Sequence, residues 1–507
     1  MTKLLYIDLF CGAGGTSSGV NSAKLDGRPC AEVIACVNHD ANAIASHAAN
    51  HPDALHFTED IRTLELSPLV NHLKRCQATN PDARVVLWAS LECTNFSKAK
   101  GGQPRDADSR TLAEHLFRYI EALNPDYIQI ENVEEFKSWG AVDESGRPVS
   151  MDRGRSYIRW VNKIRRYGYD FDHRILNAAD YGAYTSRKRF FGIFAKKGLP
   201  IAFPEQTHCK NGESGLFPLQ KWKPVRDVLD FKDEGSSIFD RKKPLSEKTL
   251  ERIYAGLIKY VAGGKKAFLI KYNSMSQRGK YLPPSLDDPC PTVATQQRLA
   301  LASVHFLSKQ FSGSPDSKNI SVDEPAGTIT TIDHHAFISV HYGNGFNRSC
   351  DQPASTITTK DKMALIQIRF LDMQYGNGKP ASINTVAGAI TTNPKHHLVT
   401  VKHLPYQTTT ESGELAIEIY STDSPMTVKI KKFMALYDIV EIKMRMLKIS
   451  ELLLIQGFPE DYILIGTQAD QKKFIGNAVE VTIARAWTEA LCAAVQNIPL
   501  TPLKQAG

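Results

Sequence analysis

LLYIDLFCGAGGTSSG (residues 4–19) decides how this chain folds. Its first half is short and apolar, as a buried strand is, and it ends at Phe10. A glycine-rich turn follows, and then a helix begins. Gly12, Gly14 and Gly15 let the backbone approach a ligand closely and adopt positive φ. The helix N-terminus then offers N–H donors. The turn is not GxGxxG, because Thr16 and Ser17 fill the places after Gly15. That argues against a pyrophosphate-binding dinucleotide fold.

Working outward, AEVIACV (31–37), RVVLWAS (84–90) and YIQIENV (127–133) are further buried strands. Amphipathic stretches separate them. In SRTLAEHLFRYIEAL (109–123), Leu112, Leu116, Phe117, Ile120 and Leu123 fall at helical spacing. Strands alternating with helices predict an α/β fold with a parallel sheet and right-handed crossovers. Sites in such sheets form at the carboxyl ends of the strands. From 205 to 245 the chain turns loop-like. SEKTLERIYAGLIKYV (246–261) then predicts a helix with Ser246 as N-cap. After it an internal repeat appears: DPCPTVATQQRLAL (288–301), EPAGTITTIDHHAFI (324–338), QPASTITTKDKMALI (352–366) and VAGAITTNPKHHLV (386–399), with a degraded copy at 424–436. Thr292, Thr328 and Thr356 align, and Ala389 takes that place in the fourth copy. We expect a β-rich second domain of turn-and-strand units. Unequal spacing argues against a solenoid. The helix beginning near Val479 is amphipathic and is expected to pack back on the N-terminal sheet.

Composition bounds the rest. The 507 residues are 42% hydrophobic and 23% charged, with a net charge of +8. These values suit a globular protein with real cores, of two to four domains at roughly 100–200 residues each. No apolar run approaches the roughly 20 residues of a membrane span, and the N-terminus lacks the apolar core of a signal peptide. The nine cysteines are scattered and contain no CxxC. That suits a reducing cytoplasm and argues against both a disulfide framework and a zinc knuckle. The histidine pairs at 334–335 and 396–397 lack a spaced acidic or cysteine partner, so no metal is expected.

Four segments carry candidate chemistry. The glycine turn is the first. In VVLWASLECTNFSKAKGG (85–102), Cys93 sits just past a strand, ahead of a Gly- and Lys-rich loop. It is either a nucleophile or a buried structural thiol. In IQIENVEEF (128–136), Glu131 and Asn132 close a strand, an unusual place for a charge unless it binds something or is solvated. In DYGAYTSRKRFFGIF (180–194), Arg187 and Arg189 alternate and so share a face, whether at a site or on a solvated edge.

In this order the segments resemble the motif series of the DNA cytosine-5 methyltransferases. The matching residues are Asp8-Leu9-Phe10-Cys11-Gly12-Ala13-Gly14-Gly15, Cys93, Glu131-Asn132-Val133, Arg187 with Arg189, and Gly476-Asn477-Ala478-Val479. RMLKISELLLIQGFP (445–459) is similar to the family's segment ending in QGFP. The resemblance covers about 1–195 and 445–490. It implies a Rossmann-like catalytic domain at 1–245, completed by 455–507, with a target recognition domain inserted at 246–454.

The resemblance also implies roles. Cys93 would be the thiolate that adds to carbon 6 of cytosine, making carbon 5 nucleophilic. Glu131 would hold or protonate ring N3, Arg187 would bind the base carbonyl, Arg189 would support the site, and Asn132 would position the backbone. S-adenosylmethionine would be the methyl donor, held by Asp8, Phe10, Gly12, Gly14, Gly15, Asn38, Asp60, Asn477 and Val479. Loop 94–110 would be the lid over a flipped base. Double-stranded DNA is the implied partner, with a cognate restriction endonuclease for restriction-modification members, and a cytoplasmic monomer is expected. Departures from the family pattern are Glu92 for Pro, Thr94 for Gln, Asn38 for an acidic residue (Asp40 lies two residues on) and Thr185 for Gln. A phage and bacterial branch is also implied to carry ECT at the nucleophile. The competing functions are a tRNA cytosine methyltransferase, a catalytically silent DNA-binding relative and a nucleotide-dependent oxidoreductase.

Overall fold

The computed structural model describes residues 3–91, 112–139, 154–213, 218–233, 235–258, 417, 419–436, 439 and 441–497, and the backbone of short strands between 267 and 402. Cys93, loop 94–110 and the aligned threonines of the repeat lie outside the described residues. The chain divides into two compact units. The first is Met1–Trp222, Thr292–Thr295 and Leu452–Gly507; the second is Lys223–Pro291 and Gln296–Glu451.

The first unit is built on β1 (Leu4–Leu9), β2 (Ala31–Asn38), β3 (Leu55–Thr58), β4 (Arg84–Ser90), β5 (Tyr127–Asn132), β6 (Tyr169–Asn177) and β7 (Lys188–Lys196). Their order is β3-β2-β1-β4-β5-β7-β6. The first five strands are parallel, and β7 runs antiparallel to both of its neighbours. Order reverses between β1, which leads outward to β2 and β3, and β4, which leads the other way. An open α/β sheet forms its crevice at that switch.

Every residue of β1 is buried, because helices cover both faces of the sheet. Leu5, Ile7 and Leu9 join a core with residues of α3 (Ser67–Thr79), α4 (Leu116–Leu123) and α5 (Arg155–Arg165). Leu4 and Tyr6 face the opposite layer, made by α1 (Gly15–Ser22) and the C-terminal helix α10 (Val481–Gln496). There the Trp88 and Trp487 rings meet edge to face at 5.3 Å, a geometry aromatic pairs prefer. Trp487 also donates from Nε1 to the Ala202 carbonyl at 2.9 Å. The C-terminal helix therefore completes the N-terminal sheet's packing.

Two boundaries differ from the sequence reading. Residues 112–115 are a 3-10 turn before α4 begins at Leu116. Ser246 does precede α6 (Glu247–Gly256), but its Oγ pairs with Thr249 Oγ1 at 2.9 Å and makes no backbone cap.

The second unit carries a seven-stranded sheet: Ser236–Ser237, Glu441–Met446, His396–Lys402, Arg369–Met373, Ala302–Ser303, Ala267–Lys271 and Lys379–Ser382 in order. Its α7 is Pro425–Leu436. Arg445 and Glu451, 9% and 2% exposed, form a two-pronged ion pair at 2.8 and 2.9 Å. Arg445 also donates to the carbonyls of Asp233 and Asp230. Arg445→Met strands the Glu451 charge and is expected to lower the urea-denaturation stability of this unit by about 3–5 kcal/mol. Among the described residues no helix is long and apolar enough to cross a membrane.

Candidate active site

The turn after β1 is strained where it meets the crevice. Phe10 has φ 60 and Gly12 φ 54, and Gly14, at φ 102, caps α1. A non-glycine residue held at positive φ is costly, and such residues gather at ligand sites. A Cβ on Gly15 would run into the Val479 carbonyl. The glycine there lets the returning C-terminal segment lie directly on the turn. Tyr462 Oη donates to the Ala13 carbonyl and pins the same segment.

Beyond the ends of β1, β2, β4 and β5 lies a cavity of about 300 Å³. It gathers Phe10, Gly12, Asn38, Glu131, Arg187, Arg189, Asn477 and Val479 from the sequence-derived set. Asn477 ends α9 (Gln468–Asn477), after α8 (Ile449–Ile455). The other four cofactor candidates and Asn132 lie outside its lining. Asp8 is fully buried beneath the turn, where its Oδ2 accepts from Ser17 Oγ at 2.9 Å, and burial drives its carboxyl well above the usual range. Gly14 and Gly15 serve packing against Tyr462 and Val479. Asp60 is gripped by Arg62 through Nε at 3.0 Å and Nη2 at 2.6 Å, which lowers its pKa.

Glu131 is the electrostatic centre. It is 5% exposed. Its Oε1 stands 3.4 Å from Arg189 Nε and 4.0 Å from Arg187 Nη2. That oxygen accepts no hydrogen bond among the described residues. Burial pushes the carboxyl up, and the two arginines offset only part of that. The antiparallel pairing of β7 with β5 sets Phe190 opposite Asn132, so that Arg187 and Arg189 lie at the carboxyl end of β5. Arg187 also donates from Nη1 to the Gly476 carbonyl at 3.2 Å. One side chain thus ties Glu131 to the Gly476–Val479 turn. Asn132 donates from Nδ2 to the Leu91 carbonyl at 3.3 Å and accepts from the Val133 N–H at 2.8 Å. It fixes the point from which the Cys93 segment departs.

Sequence reasoning missed several contributors. Asp40 caps α2 (Ala41–Asn50), lines the cavity beside Asn38 and pairs with Lys473 Nζ at 2.8 Å. Asn38 Oδ1 accepts from the Asp40 N–H at 2.9 Å, so the two act as one polar rim. Gln456 donates from Nε2 to the Ile475 carbonyl at 2.9 Å. Its own backbone carbonyl accepts from the Val481 N–H at 3.1 Å, so one residue braces the GNAV turn from both sides. The QGFP motif was the available signal for it.

The family model described as "C-5 cytosine-specific DNA methylase" matches residues 4–493. The chain belongs to that family. It is 30% identical over 253 residues to "Type II methyltransferase M.AgeI" of Thalassovita gelatinovora, covering 47% of this chain and 53% of that one. It is 31% identical over 211 residues to "Type II methyltransferase M.XorII" of Xanthomonas oryzae pv. oryzae, covering 41% and 44%. The matched stretch spans about half the length of these curated relatives. Among solved structures the chain is similar to S. pombe Dnmt2 methyltransferase, with a TM-score of 0.45 and 14% identity, over 98% of this chain and 100% of that one.

The chain carries Glu480 directly after its GNAV turn. Its Oε2 accepts from the Ile483 N–H at 2.8 Å, capping α10, and burial raises its carboxyl to about 7. The folded value exceeds the ordinary 4.5, so the folded state binds the proton more tightly. That stabilisation is complete below pH 4.5 and is lost as the pH rises to about 7. Glu480→Gln keeps an acceptor for the cap without the charge. It is expected to remove up to about 3 kcal/mol of this pH-dependent loss, read as thermal midpoints across about pH 4–8.

Proposed function

We propose that the chain transfers a methyl group from S-adenosylmethionine to carbon 5 of cytosine in double-stranded DNA at a specific sequence. The observation that carries this is the buried Glu131 carboxylate, poised between Arg187 and Arg189 in a crevice at the β1/β4 switch. The donor set fits S-adenosylmethionine. Asn38 and Asp40 offer an amide and a carboxylate for ribose hydroxyls, while Phe10, Gly12, Asn477 and Val479 supply walls for the rest. When bound, that cofactor supplies an electrophilic methyl group on a sulfonium centre.

In this reading the chain's own residues do the following. Cys93 adds as a thiolate to carbon 6 of a base flipped from the duplex. Glu131, whose carboxyl burial shifts toward the protonated form, gives a proton to N3 as the ring accepts the electron pair. Arg187 holds the ring carbonyl. Arg189 keeps Glu131 oriented, and Asn132 sets the start of the nucleophile segment. After carbon 5 is methylated and loses its proton, Cys93 leaves. Loop 94–110 closes over the base. The first unit would be catalytic, the second would read the target, and the +8 net charge suits a polyanionic partner. A cytoplasmic setting and a cognate endonuclease belong to the same reading.

The test is incubation with tritiated S-adenosylmethionine and either duplex DNA or tRNA. Label in DNA, with covalent trapping on 5-fluorocytosine duplexes, is the expected result. Label in tRNA alone, or in neither, overturns the reading.

A further inference from the structure

Where the cofactor turn meets β2 and α2 lies a buried group that the methyl-transfer reading leaves unused. Cys11, in the turn, Cys36, in β2, and His47, in α2, are all buried, and their ligand atoms lie within 4.8 Å of one another. Cys36 Sγ is 3.6 Å from His47 Nδ1, and His56 Nε2, from β3, is 2.9 Å from the same nitrogen. We propose that Cys11, Cys36, His47 and His56 form a structural zinc site that locks the turn to β2, β3 and α2.

Three observations carry it. The first is spacing. Tetrahedral zinc, with sulfur at about 2.3 Å and nitrogen at about 2.0–2.1 Å, sets neighbouring sulfur and nitrogen ligands about 3.5 Å apart. The Cys36–His47 separation of 3.6 Å already meets that. The second is the contact behind His47. Its Nε2 lies 2.8 Å from Ser17 Oγ, which in turn pairs with Asp8 Oδ2 at 2.9 Å. That contact turns Nδ1, the opposite ring nitrogen, toward Cys36. A hydrogen bond that orients a histidine from behind in this way is a regular companion of metal ligation. The third is the ligand chemistry. Two thiols and two imidazoles suit zinc. As two thiolates and two neutral imidazoles they balance the charge of a divalent ion, the form in which burial costs a metal site least.

This inference stands independently of the methyl-transfer reading. The sequence concealed the site because its ligands are spread over four elements with no CxxC or HxxxH spacing.

Zinc and cobalt(II) titrations of the full chain, purified without chelators under reducing conditions, test it. The expected result is one equivalent bound, with the near-ultraviolet absorption of a thiolate–cobalt bond. Folded Cys36→Ser should lose both. Ser17→Ala, which removes only the outer support, should weaken zinc binding about 10–100-fold. Cys209→Ser, at a half-buried cysteine elsewhere, should change neither. No bound metal, no thiolate band in the wild-type chain, a Cys11–Cys36 disulfide in the chain as purified, or unchanged binding in folded Cys36→Ser and Ser17→Ala each overturns the site. If Cys36→Ser does not fold, the wild-type cobalt spectrum and Ser17→Ala decide.

Discussion

Cys93→Ala is expected to abolish methyl transfer to duplex DNA, lowering the rate by at least about 10⁴-fold while the protein still folds and binds DNA. Carbon 5 of cytosine is too weak a nucleophile to take a methyl group unaided, and the thiolate's addition at carbon 6 is what activates it. Removing a covalent nucleophile leaves only binding and electrostatics, which carry a small part of such a rate enhancement. The described structure explains why the loss should be confined to chemistry. Asn132 anchors the Leu91 carbonyl through its own side chain, so the root of the Cys93 segment is fixed without the thiol. Single-turnover incorporation of tritium gives the rate, and a gel shift on the same duplex gives binding. Equal label in wild type and variant would remove Cys93 from the mechanism, and loss of binding alongside activity would mean that the substitution had damaged the fold.

The fold was legible because its signals are local. Each of β1, β2, β4 and β5 is a short apolar run, and β1 ends at the glycine turn that announces a crevice. The order β3-β2-β1-β4-β5-β7-β6 is a property of long-range pairing, and no window of sequence contains it. The lining of the candidate site was legible where a motif places side chains near strand ends, as with Glu131, Arg187 and Arg189. It was less legible where residues act on each other. Gly15 is needed because Val479, far along the chain, lies against it. Asp8 and Asp60 pair with Ser17 and Arg62, contacts that no sequence motif announces. Asp40 entered only as a neighbour of Asn38, because its pairing with Lys473 joins segments that sequence keeps far apart.

Glu131→Gln is the sharper test of how the base is activated. Glutamine keeps the shape and can still hydrogen-bond to N3, but it cannot deliver a proton. General acid catalysis by a positioned group is typically worth about 10²–10⁴-fold, so kcat is expected to fall by that factor. Burial favours the proposed proton-donor role. It raises the Glu131 carboxyl despite Arg187 and Arg189, keeping more of the proton-bearing form near neutral pH. The wild-type rate should therefore decline on the alkaline side as Glu131 loses its proton, and the variant should lose that limb while keeping the acidic limb set by the Cys93 thiolate. A merely structural effect behaves differently. Removing the carboxylate leaves Arg187 and Arg189 facing each other without their shared counter-charge, which lowers stability and scales the whole pH profile down without changing its shape. The profile's shape, measured at saturating DNA and methyl donor, therefore separates a proton-donating Glu131 from one that only orders its arginines.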